Sequence, residues 1–343
     1  PDSAGSRPGP VCYGRGGTEP TITDALLLLD LLDEDGFLGG RMKLDREAAA
    51  AAMAAKVAVP LGVDVLSAAC MVYSVAAEKM ADAIRLVTVA KGRDVRDYSL
   101  ISAGGAFPLF AVHIMKTLKM REVLFPATSP VFCAWGMMNA AHRCDFSRSV
   151  LMEEGNFDAA AIAKVLTEMK TAGHLGLDRL GVPSDRRSFR VTAQMRYIGQ
   201  HHELSVPWQD AYGKAPGELS KAFHDRHEAI YGYAEAAKAW EIIDFQLACF
   251  EKGGENQLFA FNAAPGERQK TVVCGAPFGS DTVLTVPLCR PGALGQGRDL
   301  DGPALIATDY TTALIPAGAR ASLSKTGVIA IWEKGDGNHD STK

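Results

Sequence analysis

The sequence has 343 residues, 47% hydrophobic and 22% charged, which is enough apolar material for a sizeable core and indicates two domains. Its formal net charge is −4 and its 36 Lys and Arg residues are scattered, so neither nucleic acid nor a membrane is an expected partner. The longest apolar run, Ala48–Ala55, is far too short to span a bilayer. Seven cysteines without a C-x-x-C pair are typical of buried thiols in a reducing compartment, which predicts a cytoplasmic protein.

The chain opens in a loop rich in glycine, proline and serine, and it begins at Pro1 inside that loop. We therefore expect a fragment, or one half of a split or processed polypeptide. Gly14, Gly16 and Gly17 let the backbone approach an anion closely and turn N–H groups toward it. The loop is either a ligand-facing segment or a connector.

Apolar residues at helical spacing predict three helices, over Thr21–Asp33, Arg46–Val59 and Val63–Lys91. Asp45 is the expected cap of the second helix, and Gly92 follows the end of the third. At the start of the first helix, Asp24 either belongs to a capping arrangement with Thr21 or faces a cation or a catalytic water. Both interpretations of Asp24 stay open from the residues alone.

An alternation of strands and helices follows. The predicted strands are Tyr98–Ser102, Glu122–Phe125 and Cys144–Met152, and the helices between them are Phe107–Leu118 and Pro130–Ala141. This spacing indicates an α/β layer. Gly104 and Gly105 lie between a strand and a helix, where a nucleotide can rest on the backbone near the positive end of the helix dipole. The alternative is a tight turn needed for packing only.

The pattern changes after residue 150. Helices are predicted over Asp158–Ala172 and Pro216–Tyr231, and strands over Ser188–Tyr197, Glu203–Trp208, Trp240–Phe250, Thr282–Leu288, Ala304–Ile306, Ala313–Ile315 and Val328–Trp332. We predict a first domain over 1–150 and an α+β domain over 151–334 that ends in a β-barrel or sandwich. The polar residues 335–343 are predicted to be a disordered tail.

No complete catalytic motif is visible in the sequence. His224 and His227 share a helix face, but the i, i+4 spacing of the helical zinc motif is absent, so packing histidines are favoured and no metal site is predicted. The sequence lacks a Gly-x-Ser-x-Gly elbow and a P-loop motif. A complete hydrolase site is therefore not expected within this chain.

Several ordered motifs together carry a family resemblance. They are Asp2–Pro10, Cys12–Gly17, Pro20–Ala25, Phe37–Leu44, Met80–Arg85, Gly104-Gly105 with Pro108, Arg196–Gln200, Phe223-His224 with His227-Glu228, and Gly302–Ala304. In these segments the chain resembles the hydantoinase A family, from the opening loop to about residue 334. That family includes ATP-dependent hydantoinases, 5-oxoprolinase and the ATPase-like subunits of acetone and acetophenone carboxylases.

The resemblance implies the C-terminal part of an actin/hexokinase-like ATPase domain followed by the family's C-terminal domain. It implies ATP and Mg²⁺ as cofactors, with Gly14, Gly16, Gly17, Gly104 and Gly105 near the nucleotide and Asp24 as the catalytic residue. The implied partners are a hydantoinase B-type subunit, the chain's own N-terminal half or an upstream subunit, and a small-molecule substrate.

The implied reaction is ATP-dependent hydrolysis of a cyclic amide of the hydantoin or 5-oxoproline type. One alternative is an ATP-dependent ketone carboxylase subunit. Phe107 departs from the family pattern because it replaces a glycine after the Gly104-Gly105 pair. Its ring either stacks on adenine or fills the pocket, and the second case implies a non-catalytic assembly subunit with a degenerate ATP site.

Overall fold

The computed structural model describes residues 3–252, 261, 267–272 (backbone only), 284–294, 299–324 and 326–335. The chain packs as two compact units, one formed by Pro1–Gly136 with Leu258–Lys343 and the other by Met137–Gln257. The first unit thus contains both ends of the chain. The chain passes from the first unit to the second at 136/137 and returns to the first at 257/258. The predicted domain division at 150/151 stays a prediction. Apart from Gly335, the predicted disordered tail lies outside the described residues.

The helices before residue 140 agree with the apolar periodicity. They are α1 (Ile22–Leu28), α2 (Arg46–Met53), α3 (Val59–Leu61), α4 (Val65–Val89), α5 (Ala111–Leu118) and α6 (Phe132–Met138). The Asp45 side chain caps α2 by accepting a hydrogen bond from Ala48 N at 2.9 Å, as predicted. Gly92, with φ of 63°, follows the end of α4, also as predicted. These boundaries arise from local backbone chemistry, which explains why the sequence reveals them.

Helix α1 ends at Leu28, five residues earlier than predicted. The guanidinium of Arg46 donates to Leu27 O at 2.8 Å and to Leu28 O at 3.1 Å, and it pairs with Asp30 at 2.7 Å. Asp30 itself has a positive φ of 56°. Asp30 N donates to Leu27 O and Leu31 N donates to Leu26 O, both at 3.0 Å, so a left-handed turn at Asp30 ends α1, and Arg46 adds contacts to its last carbonyl groups.

The strands form three sheets. In chain order they are β1 (Leu100–Ile101), β2 (Val123–Pro126), β3 (Arg143–Glu153), β4 (Arg187–Tyr197), β5 (Leu204–Pro207), β6 (Trp240–Glu251), β7 (Glu267–Val272), β8 (Leu284–Cys289), β9 (Leu300–Asp301), β10 (Ala304–Ala307), β11 (Thr312–Ile315), β12 (Ala319–Leu323) and β13 (Val328–Glu333). The first unit holds a five-stranded sheet in the order β1-β2-β13-β12-β9 and a four-stranded sheet in the order β11-β10-β8-β7. The second unit holds the sheet β3-β6-β4-β5.

The sheets of the first unit are mixed. Strands β1 and β2 are parallel, as are β8 and β10, and the other described pairs are antiparallel. The predicted α/β class is therefore confirmed at this level. The strands after residue 266 divide between the two sheets, and the described pairings include no closed barrel. The predicted barrel or sandwich ending is not confirmed.

The core of the first unit joins α4 to the segment before α5. Tyr73 is fully buried, stacks on Phe110 with ring centroids 4.7 Å apart, and donates a hydrogen bond to Leu109 O at 2.9 Å. Burial of a side chain of this kind contributes about 1.5–3 kcal/mol. The predicted helix over Phe107–Leu118 begins as a 3₁₀ turn at Phe107–Leu109, with Pro108 in that turn, and continues as α5.

The second unit is an antiparallel sheet with helices on it. Helix α7 (Ala159–Arg179) packs against β3 and β6, and α8 (Pro216–Tyr231) packs against β5. Gly173 and Gly176 let α7 approach the sheet, since a Cβ at either position would press on Cys249 or Cys144. The predicted helix stopped at Ala172 because a glycine followed it. The structure shows that these glycines serve packing rather than helix termination, so α7 runs on to Arg179.

The prediction of buried free thiols is wrong in part. Cys12, Cys249 and Cys289 are buried and outside any disulfide, but Cys133 is exposed and Cys70 is disulfide-bonded. Cys133 is exposed because α6 buries none of its residues. Cytoplasmic localisation stays a prediction. Within the described ranges no single helix is long and apolar enough to cross a membrane, although the bent pair Arg46–Leu61 with Val65–Val89 meets that test jointly.

We expect Gly173→Ala to destabilise the second unit by about 1–3 kcal/mol, because the added methyl group overpacks the contact between α7 and β6. It would overlap Cys249 Sγ and lie 3.2 Å from Phe189 Cε1. Urea unfolding measures the change. The matched control is Gly217→Ala in α8, where a Cβ meets nothing within 4 Å and a gain of about 0.4–1 kcal/mol is expected.

Removing the clash partner sharpens this test. The double variant Gly173→Ala/Cys249→Ala should recover part of the lost stability, because the methyl group then occupies the space of the deleted sulfur. Equal midpoints for Gly173→Ala and Gly217→Ala would contradict the described packing of α7.

Candidate functional site

A cavity of about 760 Å³ lies within the first unit. Its walls come from the start of the chain (Tyr13), α1 (Thr23 and Leu26), the loop after α1 (Leu31, Leu32, Asp33 and Gly36–Gly40), the glycine turn (Gly105 and Ala106), the end of β8 (Leu288, Cys289 and Arg290) and the β10–β11 hairpin (Ala307–Thr312). Segments from the N-terminal and the C-terminal parts of the chain therefore contribute to it. Its volume is within the range usual for ligand pockets.

One wall is the loop between α1 and α2. Leu38, Gly39 and Gly40 all have positive φ, at 52°, 68° and 82°. Two consecutive glycines tolerate this conformation without strain. A Cβ on Gly39 would lie 3.6 Å from Asp309 Cβ, which shows how closely this loop approaches the hairpin. Glycine here closes one side of the cavity.

Another wall is the β10–β11 hairpin, whose turn is held by two threonines. Thr308 Oγ1 accepts hydrogen bonds from Tyr310 N at 3.3 Å and Thr311 N at 3.0 Å. Thr311 is 6% exposed, and its hydroxyl donates to Gly105 O at 2.7 Å. The hydroxyl of Thr311 thus fixes the hairpin to the glycine turn across 206 residues of sequence.

The glycine turn itself is organised by Ser129. Gly104, with φ of 109°, donates its N–H to Ser129 O at 2.7 Å. The Ser129 hydroxyl lies 2.8 Å from Ser102 O and 3.2 Å from Gly104 O. Gly104 therefore supports the turn, and Gly105 presents its backbone to the cavity.

The charges on the cavity wall are few. Arg290 pairs with Asp309 at 2.9 Å, and Asp33 accepts a hydrogen bond from Gly36 N at 3.3 Å. Burial is the main cause that raises the pKa of Tyr13 above its ordinary value, so this phenol remains neutral. The cavity therefore presents backbone groups, aromatic rings and hydroxyls, with one ion pair.

Residues 1–145 match the family model described as Hydantoinase/oxoprolinase. The chain belongs to the hydantoinase/oxoprolinase family. Subunit alpha of caprolactamase from Pseudomonas jessenii is 31% identical over 343 residues, covering 96% of this chain and 49% of the relative. The gamma subunit of acetophenone carboxylase from Aromatoleum aromaticum is 37% identical over 361 residues, covering 97% of this chain and 47% of the relative. The chain thus spans about half the length of these relatives.

Two solved structures of the family resemble the chain. The crystal structure of ATP-dependent caprolactamase from Pseudomonas jessenii has a TM-score of 0.74 at 29% identity and covers 97% of this chain and 50% of that one. A nucleotide-free acetone carboxylase structure has a TM-score of 0.78 at 23% identity, with 97% and 49% covered. The second likeness concerns the fold alone.

Of the residues that the family resemblance assigned to the nucleotide, Gly105 lines the cavity. Gly104 supports the same turn. Phe107 is half-buried against the hydrophobic core and is not among the cavity-lining residues. The role of each in nucleotide binding stays a prediction.

The opening glycine loop lies beside the cavity wall rather than in it. Gly14, with φ of 64°, ends a 3₁₀ turn at Val11–Tyr13, and Gly16 has φ of 96°. A Cβ on Gly17 would collide with Gly9 O, so Gly17 permits the loop to fold on itself. These contacts favour the connector interpretation, and Tyr13 is the loop's contribution to the cavity.

Asp24 is fully buried and its carboxylate accepts four hydrogen bonds. Val11 N, Thr21 N and Thr21 Oγ1 donate to Oδ2 at 3.2, 2.7 and 2.9 Å, and Cys12 N donates to Oδ1 at 2.7 Å. Thr21 and Asp24 form a capping box at the start of α1. These are the contacts of a carboxylate that organises a loop. A catalytic role for Asp24 remains a prediction that no contact here supports.

The Cys12 thiol beside Asp24 is held neutral. Burial is the largest cause, followed by the hydrogen bond and the charge of Asp24, and together they raise the pKa of Cys12 far above its ordinary value. Cys12 is therefore a packing residue, since the thiolate is the nucleophilic form.

The two helical histidines are packing residues in the second unit. His227 is fully buried, with Nδ1 2.8 Å from Tyr233 O and its ring 4.9 Å from that of Tyr197. His224 Nδ1 lies 2.7 Å from the Tyr197 hydroxyl. Among the residues that the structure describes, no group of three or more His, Cys, Asp or Glu is arranged to hold a metal ion.

The sequence reasoning missed most of the cavity wall. The Phe37–Gly40 segment was quoted as a family motif but was assigned no role, and Thr308–Thr311 was not noticed. The paired glycines Gly39-Gly40 offered a local signal, because adjacent glycines mark positive φ. Thr308 and Thr311 offered none, since their partner Gly105 is remote in sequence.

We expect Asp24→Asn to lower the free energy of unfolding by about 1–3 kcal/mol, because an amide NH₂ replaces an acceptor where only donors converge. Chemical denaturation measures the change. Asp64→Asn is the matched control, since Asp64 caps α4 by accepting from Ser67 N at 2.9 Å and Asn is an equally good cap. A variant Asp24→Asn with wild-type stability but no activity would instead support the catalytic prediction.

Proposed function

We propose that this chain is a component of an ATP-dependent cyclic-amide hydrolase, and that its cavity receives the adenosine end of the nucleotide. The observation that carries the proposal is that the Gly105 backbone and the glycine loop Gly36–Gly40 line the same cavity. The likeness to a caprolactamase structure described as ATP-dependent supports the use of ATP.

The wall of the cavity fits an aromatic, hydrogen-bonding group. Tyr13 and Phe37 form a tilted ring pair 5.8 Å apart, and Tyr310 lies on the hairpin side. Aromatic faces such as these stack readily on a planar heterocycle. The backbone of Gly105 and the hydroxyl of Thr308 add polar groups that orient a ligand.

The same wall does not fit a triphosphate. Its charged residues are the carboxylates Asp33 and Asp309 and the guanidinium Arg290, which sum to −1. Phosphate groups need compensating cations or clustered N–H donors. We therefore assign the deep cavity to adenosine, and most phosphate contacts to residues beyond this chain.

Mg²⁺ fits this chain only as a shared ion. The described residues hold no group of three His, Cys, Asp or Glu for a metal. Mg²⁺ is commonly bound through one or two carboxylates together with substrate phosphates and water. Under this proposal its remaining ligands come from the nucleotide or from the rest of the complete enzyme.

Bound ATP would supply the phosphoryl group that makes a cyclic amide reactive toward water. The contribution of this chain is positioning. The Thr311 hydroxyl holds the glycine turn against the hairpin, and the loop Gly36–Gly40 forms another part of the cavity wall. A walled cavity of this kind excludes water from the bound ligand and orients it, which is the main protein contribution in phosphoryl transfer.

The partners that we propose follow from the relatives. The two relatives compared above are named as subunits, and each is about twice as long as this chain. We propose a hydantoinase B-type subunit for the substrate site and the chain's own N-terminal half, or an upstream subunit, for the first phosphate loop. An actin/hexokinase-like arrangement of the two halves and cytoplasmic localisation belong to the same proposal.

Carboxylation of a ketone is the second candidate. The observation that favours it is the 37% identity to acetophenone carboxylase gamma subunit. The assembly-subunit alternative depends on Phe107 blocking the pocket. Because Phe107 is absent from the cavity wall and packs against the core, its position gives that alternative little support.

We expect Gly105→Val to weaken ATP binding about tenfold or more without unfolding the chain. Gly105 has no positive φ, so a valine backbone is unstrained, but its Cβ would already lie 3.5 Å from Tyr310 O and its methyl groups would fill the gap. Calorimetry with Mg²⁺, on the chain co-expressed with its genomically adjacent upstream and downstream subunits, measures the affinity.

Phe107→Gly is the comparison that separates the alternatives. Under the proposal this substitution leaves the affinity for ATP unchanged, because the Phe107 ring is not part of the cavity wall. ATP binding that appears only after Phe107→Gly would establish the degenerate-site alternative. ATP-dependent ring opening of caprolactam, hydantoin or 5-oxoproline by the same complex would support hydrolysis, whereas bicarbonate fixation into acetophenone would replace it with carboxylation.

A further inference from the structure

Two arginines lie against the tyrosines of the cavity wall. The guanidinium carbon of Arg15 is 5.9 Å from the ring centroid of Tyr13, and that of Arg41 is 6.0 Å from the ring centroid of Tyr310. Both tyrosines line the cavity, from the loop side and from the hairpin side. Arg15 and Arg41 are themselves exposed, and each contacts a tyrosine of the wall without lining the cavity itself.

These two guanidinium groups are not neutralised within the described part of the chain, where no carboxylate lies within 4.0 Å of either. The contact of Arg15 is with the Met42 sulfur at 4.0 Å. The neighbouring cations differ from them. Arg290 pairs with Asp309 at 2.9 Å, and Lys43 lies 3.2 Å from Asp35.

A tyrosine face orients a guanidinium while its N–H edge stays available. The planar fork of arginine then matches a carboxylate or a phosphate in a bidentate manner. The ring contact alone does not define a site, since Arg93 rests on Tyr98 in the same way at 6.0 Å and Tyr98 does not line the cavity. What sets Arg15 and Arg41 apart is that both supporting rings belong to one cavity.

The carboxylates of the cavity determine how deep an anion can lie. Asp33 and Asp309 are on the wall, and of these Asp309 is paired with Arg290. An anion inside the cavity would lie near two carboxylates and one guanidinium, whereas at the rim it meets the guanidinium groups of Arg15 and Arg41. Electrostatics favours the rim.

We propose that Arg15 and Arg41 form an oxyanion-binding rim on this cavity, and that the ligand which enters it carries a carboxylate or a phosphate group at that end. The inference rests on the proposed function only in taking the cavity as a ligand site. It adds a ligand class and two recognition residues. The anion comes either from the nucleotide or from the amide substrate, and both offer the same planar array of charged oxygens.

The test compares charged and neutral members of two ligand pairs by calorimetry, on the complex of the full chain with its adjacent subunits. The nucleotide pair is ADP and adenosine, and the amide pair is 5-oxoproline and 2-pyrrolidone. We expect the charged member of at least one pair to bind about tenfold more tightly than the neutral member. This ratio of affinities is the advantage of the charged member, and it should shrink as salt is added. In Arg15→Gln/Arg41→Gln that advantage should fall about tenfold, and any advantage of ADP that remains comes from the phosphate contacts beyond this chain.

Arg93→Gln is the matched control, because it removes an exposed, tyrosine-backed guanidinium away from the cavity wall, and it should retain the full advantage. Arg41→Lys keeps the charge but loses the fork, so it should retain part of it. If the double variant fails to fold, the single variant Arg41→Gln carries the same comparison.

Each outcome decides the proposal. An advantage confined to ADP identifies the rim as a phosphate site, and one confined to 5-oxoproline identifies it as a carboxylate site. Equal binding of neutral and charged members, no binding of any probe, or an advantage that is unchanged in Arg15→Gln/Arg41→Gln overturns the proposal. An arginine-dependent advantage without ATP-dependent ring opening would leave the rim standing and remove the proposed hydrolase function instead.

Discussion

The antiparallel pairing of β13 with β2 joins the two parts of the chain that build the first unit. It sets Val328 opposite Pro126 and Ile331 opposite Val123, and so joins segments about 200 residues apart. Val123, Ile329 and Ile331 are buried in that sheet, and burial of their side chains offsets the entropy of closing so long a loop. In the other sheet of this unit, the β10–β11 hairpin lies beside the glycine turn, and the Thr311 hydroxyl reaches Gly105 O.

The cavity shows how a glycine-rich sequence becomes a ligand site. Gly105 and the loop Gly36–Gly40 supply walls without side chains, while Tyr13 and Tyr310 supply faces on which a ring or a guanidinium rests. The polar contacts are hydroxyls and backbone groups, and the charged groups on the wall are Asp33 and the ion pair of Arg290 with Asp309. Such a wall positions a ligand and leaves the reacting groups to the remainder of the complete enzyme.

The fold was predictable where its causes are local. Helix α4 and strand β6 carry clear apolar periodicity, and Asp45 caps α2 through a neighbouring backbone N–H. Prediction failed where a distant residue decides the structure. Strand β12 (Ala319–Leu323) was missed because its sequence of small and polar residues becomes a strand only between β13 and β9.

The site was predictable to a smaller extent. The strand–glycine–helix pattern drew attention to Gly105, which lines the cavity, because that pattern is a property of one short segment. The other walls come from residues 31–40, 288–290 and 307–312, and their assembly depends on sheet pairing that no local pattern encodes. Asp24 is an acidic residue in a conspicuous motif, and it is fully buried and accepts hydrogen bonds from loop N–H groups, while its predicted catalytic role stays a prediction.

The most direct measurement is a crystal structure of the complex of this chain with its adjacent subunits, bound to a non-hydrolysable ATP analogue and Mg²⁺. The account predicts density for the adenosine end against Gly105 and Tyr310, with the phosphate groups directed out of the cavity. A nucleotide bound elsewhere, with the cavity filled by water, would contradict the account.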